Sequence, residues 1–218
     1  MKYPLKNTYV FIRHAESEAN VKEIIASNLK SDTNHLTKKG RKQSLHLGKI
    51  LTKELDSVDV IASSPYLRSQ ETSHLIHSFF ARAKCVYDGR LGERKMSYFE
   101  GKSIHYMHDQ IDSQSTLWTE SPFEMESYAT IFYRMHEWWQ EYESSHSRTT
   151  CVIVSHSVPM KLLLGWLDGY RGGYLSPYFG HMDQYFLQNA ECVIIRERHS
   201  MKSSHITRLP KLSSAFSK

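Results

Sequence analysis

The chain has 218 residues, of which 40% are hydrophobic and 12% aromatic. That is enough apolar surface for a packed core and excludes a disordered chain. The formal charge of +5 owes much to the C-terminus, where Lys202, Arg208, Lys211 and Lys218 follow His199 without an acidic residue. A basic, Ser-rich stretch over 200–218 reads as a solvated tail, so no nucleic-acid partner is expected and 1–199 is read as one domain.

At the start, Lys2 and Lys6 flank a short apolar run broken by Pro4. This is neither a signal-peptide core nor a membrane span, so a cytoplasmic location without membrane contact is expected. Cys85, Cys151 and Cys192 are too few and scattered for a disulfide framework. The last two sit in apolar surroundings that look like core strands, which suits a reducing compartment.

Three short, β-branched runs read as buried strands: Tyr9 to Ile12, Val58 to Ile61 and Cys151 to Val154. A helix is expected after Gly40, with Leu47, Leu51 and Leu55 on one face. A second should start at Ser64-Pro65, where serine can cap and proline suits a first turn, and run to about Phe80. A third spans Glu124 to about Tyr142, and a last follows Ser157-Val158-Pro159. The stretch 102–123 is the least regular, and its Tyr106, Met107, Trp118 and Phe123 either overhang a pocket or simply pack. Strands alternating with helices imply a three-layer α/β/α sandwich with a mostly parallel central sheet. In such sheets ligands lie beyond the carboxyl ends of the strands.

Those ends carry the chemistry. The first run ends in Arg13-His14, the second in Ser63-Ser64 with Arg68 one turn further on, and the third in Ser155-His156. An imidazole with an unprotonated distal nitrogen can attack phosphorus and split a hard displacement into two easier ones. Guanidiniums grip non-bridging phosphate oxygens bidentately, and a second histidine adds a hydrogen bond or a charge. A leaving alkoxide needs a proton, for which Glu93 in Leu91-Gly92-Glu93-Arg94 is the candidate. The chemistry needs no metal and no cofactor. His74 with His77 and His105 with His108 have helical spacing but no accompanying carboxylate cluster, and read as surface histidines.

The block Arg13-His14-Ala15-Glu16-Ser17-Glu18-Ala19-Asn20 resembles the first-histidine signature of the histidine phosphatase superfamily, also called phosphoglycerate mutase-like. The likeness continues in order through Leu36-Thr37 to Gly40 and Gln43, Ser63 to Thr72, Leu91 to Gly101, and Val154-Ser155-His156. It implies a phosphohistidine at His14, phosphate binding by Arg13, Arg68, His156 and Asn20, and proton donation by Glu93. Ala15 and Ser157 stand where the family usually has glycine, and activity is expected to survive both.

The acid loop separates the family's branches. Mutases usually have asparagine where this chain has Gly92, and an adjacent arginine pair after the loop for the substrate's second anionic group. Here no arginine occurs between Arg94 and Arg134. A second anion in a closed pocket needs a partner, so the expectation is a metal-independent phosphomonoesterase acting on a small phosphate ester. The alternatives are a 2,3-bisphosphoglycerate-dependent phosphoglycerate mutase, and a non-catalytic phosphate-ligand binding protein of the same fold. Glu126, near the expected start of the third helix, is left out of the catalytic set because a first-turn glutamate is equally expected there for its dipole. A homodimer is compatible with a chain of this size.

Overall fold

The computed structural model describes residues 5–31, 33–111, 118–169, 184–196 and 206–209. Its centre is a six-stranded sheet in the order β3-β2-β4-β1-β5-β6, built from β1 (Thr8–Arg13), β2 (Val60–Ser63), β3 (Lys84–Tyr87), β4 (Thr150–Ser155), β5 (Cys192–Ile195) and β6 (Ile206–Arg208). The first four are mutually parallel, whereas β5 runs antiparallel to β1 and β6 antiparallel to β5.

The continuous apolar runs follow from burial on both faces. In β1, Tyr9 and Phe11 point to the cluster containing Ile131, Met135 and Trp139 of α5 (Tyr128–Ser145) and Leu163 of α6 (Ser157–Leu167). The alternate residues Val10 and Ile12 point to the other cluster. That one holds Leu47 and Leu51 of α2 (Lys38–Glu54) and Ile76 of α3 (Leu67–His77). The period-two alternation of a strand thus divides one hydrophobic sequence between two helical layers, and the expected three-layer sandwich is the observed one.

Short helices α1 (Glu18–Lys22) and α4 (Ile104–Gln110) are the other α-helices among the described residues. The latter lies inside the stretch read as irregular, and is capped by Ser103 Oγ accepting from the Tyr106 amide at 3.1 Å. Of that stretch, residues 112–117 lie outside the described residues. Trp118 and Met107 pack against separate apolar clusters, so for these two the packing reading holds.

Several boundaries differ from the sequence expectations. Helix α3 begins at Leu67, not at Ser64-Pro65, because Ser64 spends its hydroxyl on His156 instead of on a cap. Helix α5 starts at Tyr128, capped by Ser127 Oγ accepting from the Thr130 amide at 3.2 Å, which leaves Glu126 ahead of the helix. The tail boundary at His199 also needs correction: Ile206–Arg208 is an edge strand paired to β5. One isoleucine among polar residues gives no apolar run, so this strand leaves no sequence signal. The rest of 200–218, apart from Leu209, lies outside the described residues.

Gly40 shows why the loop after β1 needs its partner helix close. A Cβ there would sit 2.0 Å from the Glu16 carbonyl oxygen. Only glycine lets the first turn of α2, capped by Thr37 Oγ1 accepting from the Gly40 amide at 2.9 Å, approach that backbone.

Candidate active site

Strands β2, β4 and β1 are neighbours, and their register decides what meets at the carboxyl edge. The His14 amide donates to the Ser155 carbonyl at 2.9 Å and the Ser64 amide to the Val154 carbonyl at 2.9 Å. Residues 14, 156 and 64 therefore lie side by side just past three strand ends. The rings of His14 and His156 are 5.1 Å apart between centroids, edge to face.

Arg68, second residue of α3, reaches between them. Its Nε donates to His14 Nε2 at 3.1 Å and its Nη2 lies 3.2 Å from His156 Nδ1. The Tyr66 ring supports both partners: the Arg68 guanidinium lies 4.8 Å from its centroid, and His156 meets it edge on at 5.1 Å.

These contacts fix the tautomers. His14 Nδ1 is 2.8 Å from the Ala15 carbonyl, which only accepts, so Nδ1 carries the proton and Nε2 keeps its lone pair. His156 Nδ1, facing the Arg68 donor, is the acceptor, and its Nε2 proton goes to Ser64 Oγ at 2.7 Å, with Ser69 Oγ at 3.4 Å. Burial, then the positive charge of Arg68, holds both imidazoles well below the ordinary value of 6.5. Both rings are therefore neutral around pH 7.

Arg13 donates through Nη1 to the Leu187 carbonyl at 2.9 Å and stacks 5.2 Å from the Phe186 ring. Its Nε is buried and makes no hydrogen bond among the described residues. Asn20 Oδ1 accepts from the Ser17 amide and hydroxyl, each at 3.0 Å, and from Asn189 Nδ2 at 3.1 Å. With its oxygen so occupied, the NH₂ group of Asn20 remains as a donor. Glu93 stands at the rim, its side chain 17% exposed, with Oε2 3.7 Å from His156 Nδ1 and Oε1 accepting from the Arg94 amide at 2.8 Å. Arg13, His14, Arg68 and His156 thus share one edge, and Glu93 faces it from a separate loop.

Four further residues enter the site. Thr72 Oγ1 accepts from the Ala15 amide at 3.1 Å, and Ser64 and Ser69 share the His156 Nε2 proton. Asn189 donates to the His14 carbonyl at 3.0 Å as well as to Asn20. Ser64, Ser69 and Thr72 all lie in the block around Arg68, so their spacing on either side of it is a usable signal. Asn189 sits in no recognisable pattern and only the folded chain reveals it. Ala15 and Ser157 are not among the positive-φ residues, so replacing the usual glycines costs no backbone strain there.

Comparison with known proteins gives the family and the fold. Residues 9–200 match the sequence profile of the histidine phosphatase superfamily, branch 1. Phosphoserine phosphatase 1 of Hydrogenobacter thermophilus is 30% identical over 162 residues, covering 71% of this chain and 72% of that one. A 2,3-bisphosphoglycerate-dependent phosphoglycerate mutase of Thermoplasma acidophilum is 29% identical over 160 residues, 72% and 74% of the two chains. Among solved structures, YhfR of Bacillus stearothermophilus superposes with a TM-score of 0.74 at 24% identity, covering 93% of this chain and 96% of that one. The chain belongs to the histidine phosphatase superfamily.

Proposed function

We propose that the protein is a metal-independent phosphomonoesterase working through a phosphohistidine on His14. The observation that carries the reading is the state of His14: a buried, neutral ring, held by the Ala15 carbonyl, with its Nε2 lone pair facing a guanidinium. An imidazolium has no lone pair to attack with, so holding the ring neutral prepares the nucleophile. The neighbouring guanidiniums hold the phosphate against it.

In the first step His14 Nε2 bonds to phosphorus as the bond to the leaving oxygen breaks, and Glu93 gives its proton to the departing alkoxide. Arg68 turns from the histidines to the phosphate oxygens, where Arg13 supplies its unused Nε and Asn20 its NH₂. His156, released from Arg68 at Nδ1, takes the proton of the monoanionic substrate phosphate there and so becomes a donor to the phosphate close to Glu93. In the second step water attacks phosphorus, its proton passes to Glu93, the P–N bond breaks and inorganic phosphate leaves.

The similarity to a mutase keeps phosphoryl return to a second anionic substrate as the competing reading. Its requirement is a cation for the second anion. Arg94 is buried and committed to the Glu126 carbonyl at 2.9 Å and the Tyr128 ring at 4.3 Å. Arg134 is committed to Glu126 and to backbone carbonyls. Arg90 is paired with Asp88 and Glu141, so among the described residues none of the three guanidiniums near the acid loop is left for a second phosphate or carboxylate, which favours hydrolysis. The substrate is a small phosphate monoester, and phosphoserine, the substrate named for a relative, heads the panel to test.

The test is aryl phosphate hydrolysis without added metal, beside phosphoglycerate isomerisation primed with bisphosphoglycerate. Hydrolysis abolished by His14→Ala, with no isomerisation, is expected. Isomerisation faster than hydrolysis overturns the phosphatase reading, and turnover by neither route supports a binding protein.

A further inference from the structure

Arg134 lies on α5, outside the phosphate cage, yet every donor of its guanidinium is used on the acid loop or on Glu126. Nε donates to Glu126 Oε1 at 2.7 Å and Nη2 to Glu126 Oε2 at 3.0 Å, a bidentate pair. The remaining donors go to consecutive turns of one loop: Nη1 to the Arg90 carbonyl at 2.6 Å and the Gly92 carbonyl at 2.8 Å, and Nη2 to the Glu93 carbonyl at 3.1 Å. That accounts for all five N–H groups of an arginine.

The carbonyl skipped in this series, that of Leu91, accepts from Ser155 Oγ at 2.7 Å, the residue before His156. Beyond Glu93 the Glu126 carboxylate takes the Lys95 amide at 3.2 Å, and the Glu126 amide donates to the Lys95 carbonyl at 2.8 Å. The backbone on both sides of Glu93 is therefore tied to one ion pair, which is itself mostly buried, with side-chain exposures of 15% and 7%. A buried pair of this kind is weak evidence for stability, because desolvation offsets its attraction. What it does fix is the place of a loop that has no ladder of its own.

We infer that Arg134 and Glu126 form the positioning pair for the general acid: they set where the Glu93 carboxyl stands over the cage and so govern which leaving groups are released. The inference rests on the proposed role of Glu93. Neither residue touches substrate. A fixed carboxyl matters most when the leaving oxygen is a poor one, because an alkoxide departs only with its proton, whereas an aryl oxide departs nearly unaided.

The experiment compares kcat and KM for p-nitrophenyl phosphate and for an alkyl phosphate, glycerol phosphate, in the wild type, Glu93→Gln, Arg134→Lys, Glu126→Gln and Glu93→Gln/Arg134→Lys. Arg134→Ala is avoided because it strands a buried carboxylate. Lysine keeps the charge but cannot fork across three carbonyls. Arg134→Lys is expected to lower kcat for the alkyl ester by ~10²-fold while the aryl ester loses far less and KM stays level, the scale of a misplaced catalytic group. In the Glu93→Gln background it should shift the alkyl-to-aryl ratio by no more than about twofold further, as for residues acting through one another. Glu126→Gln should move the ratio the same way by less, and carries the test if the lysine variant does not fold.

Equal losses on both esters for Arg134→Lys and Glu126→Gln, with Glu93→Gln still shifting the ratio, overturn the positioning pair and leave the proposed reaction standing. A ratio unmoved by Glu93→Gln removes Glu93 as the acid, and the positioning pair with it.

Discussion

The two halves of the site are built differently. The phosphate cage hangs from sheet register: β1 and β4 pair residue for residue up to Arg13 and Ser155, and His14 and His156 are the next residues on each. Almost no backbone freedom is left there, and His14, Arg68 and His156 are all buried. The acid side is a loop made of short 3₁₀ turns over Gly89–Leu91 and Ser97–Phe99, and it owes its place to side chains from β4 and α5. One region is positioned by the backbone, the other by an ion pair. Damage to the first should remove phosphoryl transfer altogether, and damage to the second should change only which esters are cleaved.

The largest effect expected is from His14→Ala, which should lower hydrolysis by at least ~10⁴-fold for every ester, on the scale of losing a nucleophile. A surviving rate that still depends on the leaving group puts the nucleophile elsewhere. Next is Arg68→Lys, expected to cost ~10²–10³-fold on aryl and alkyl phosphates alike, since one ammonium cannot replace a fork that serves the transferring group itself. A loss confined to alkyl phosphates assigns Arg68 to the acid side and breaks the division. Glu93→Gln should cost ~10²-fold or more for alkyl esters and leave a measurable burst with aryl esters.

Smaller still is Asn189→Ala. It removes the donor that holds Asn20 Oδ1 and the His14 carbonyl, and should raise KM about tenfold, the worth of one net hydrogen bond to the binding frame. An unchanged KM detaches Asn189 from phosphate binding. The mildest effect concerns pH and stability. His14 and His156 are both held below the ordinary 6.5 in the folded chain. The unfolded chain therefore binds more protons below that pH, and their contribution is complete above about 6.5 and is lost as the pH falls. Urea midpoints should be level from pH 7 to 8 and decline towards pH 5, with a shallower decline in His156→Asn.

How much of this was legible in the sequence follows the same division. Backbone-positioned parts leave patterns: β-branched runs mark β1, β2 and β4, and a polar residue straight after such a run marks the edge where His14 and His156 emerge. Arg68 is legible because it follows Ser63-Ser64, the end of β2, by about one turn. The fifth strand is legible only in part: the apolar stretch around Cys192 looks like a core strand, but with no chemistry at its end nothing marks its place between β1 and β6 or its antiparallel direction. Asn189 and Arg134 are illegible for a different reason. Each acts across more than forty positions of chain, Asn189 on His14 and Asn20, Arg134 on the carbonyls of Arg90, Gly92 and Glu93, and local spacing carries no trace of such partners. Glu126 was visible but had a sufficient local explanation at a helix start, and its ion pair appears only in the fold.

The proposed reaction requires a phosphoryl group carried on His14 Nε2. Mass spectrometry of protein quenched in alkali during turnover of an aryl phosphate, with Glu93→Gln used to slow hydrolysis of the intermediate, tests it most directly. A phosphoryl adduct mapped to His14 and absent from His14→Ala is expected. Turnover with no adduct, or with the adduct on any other residue, contradicts it.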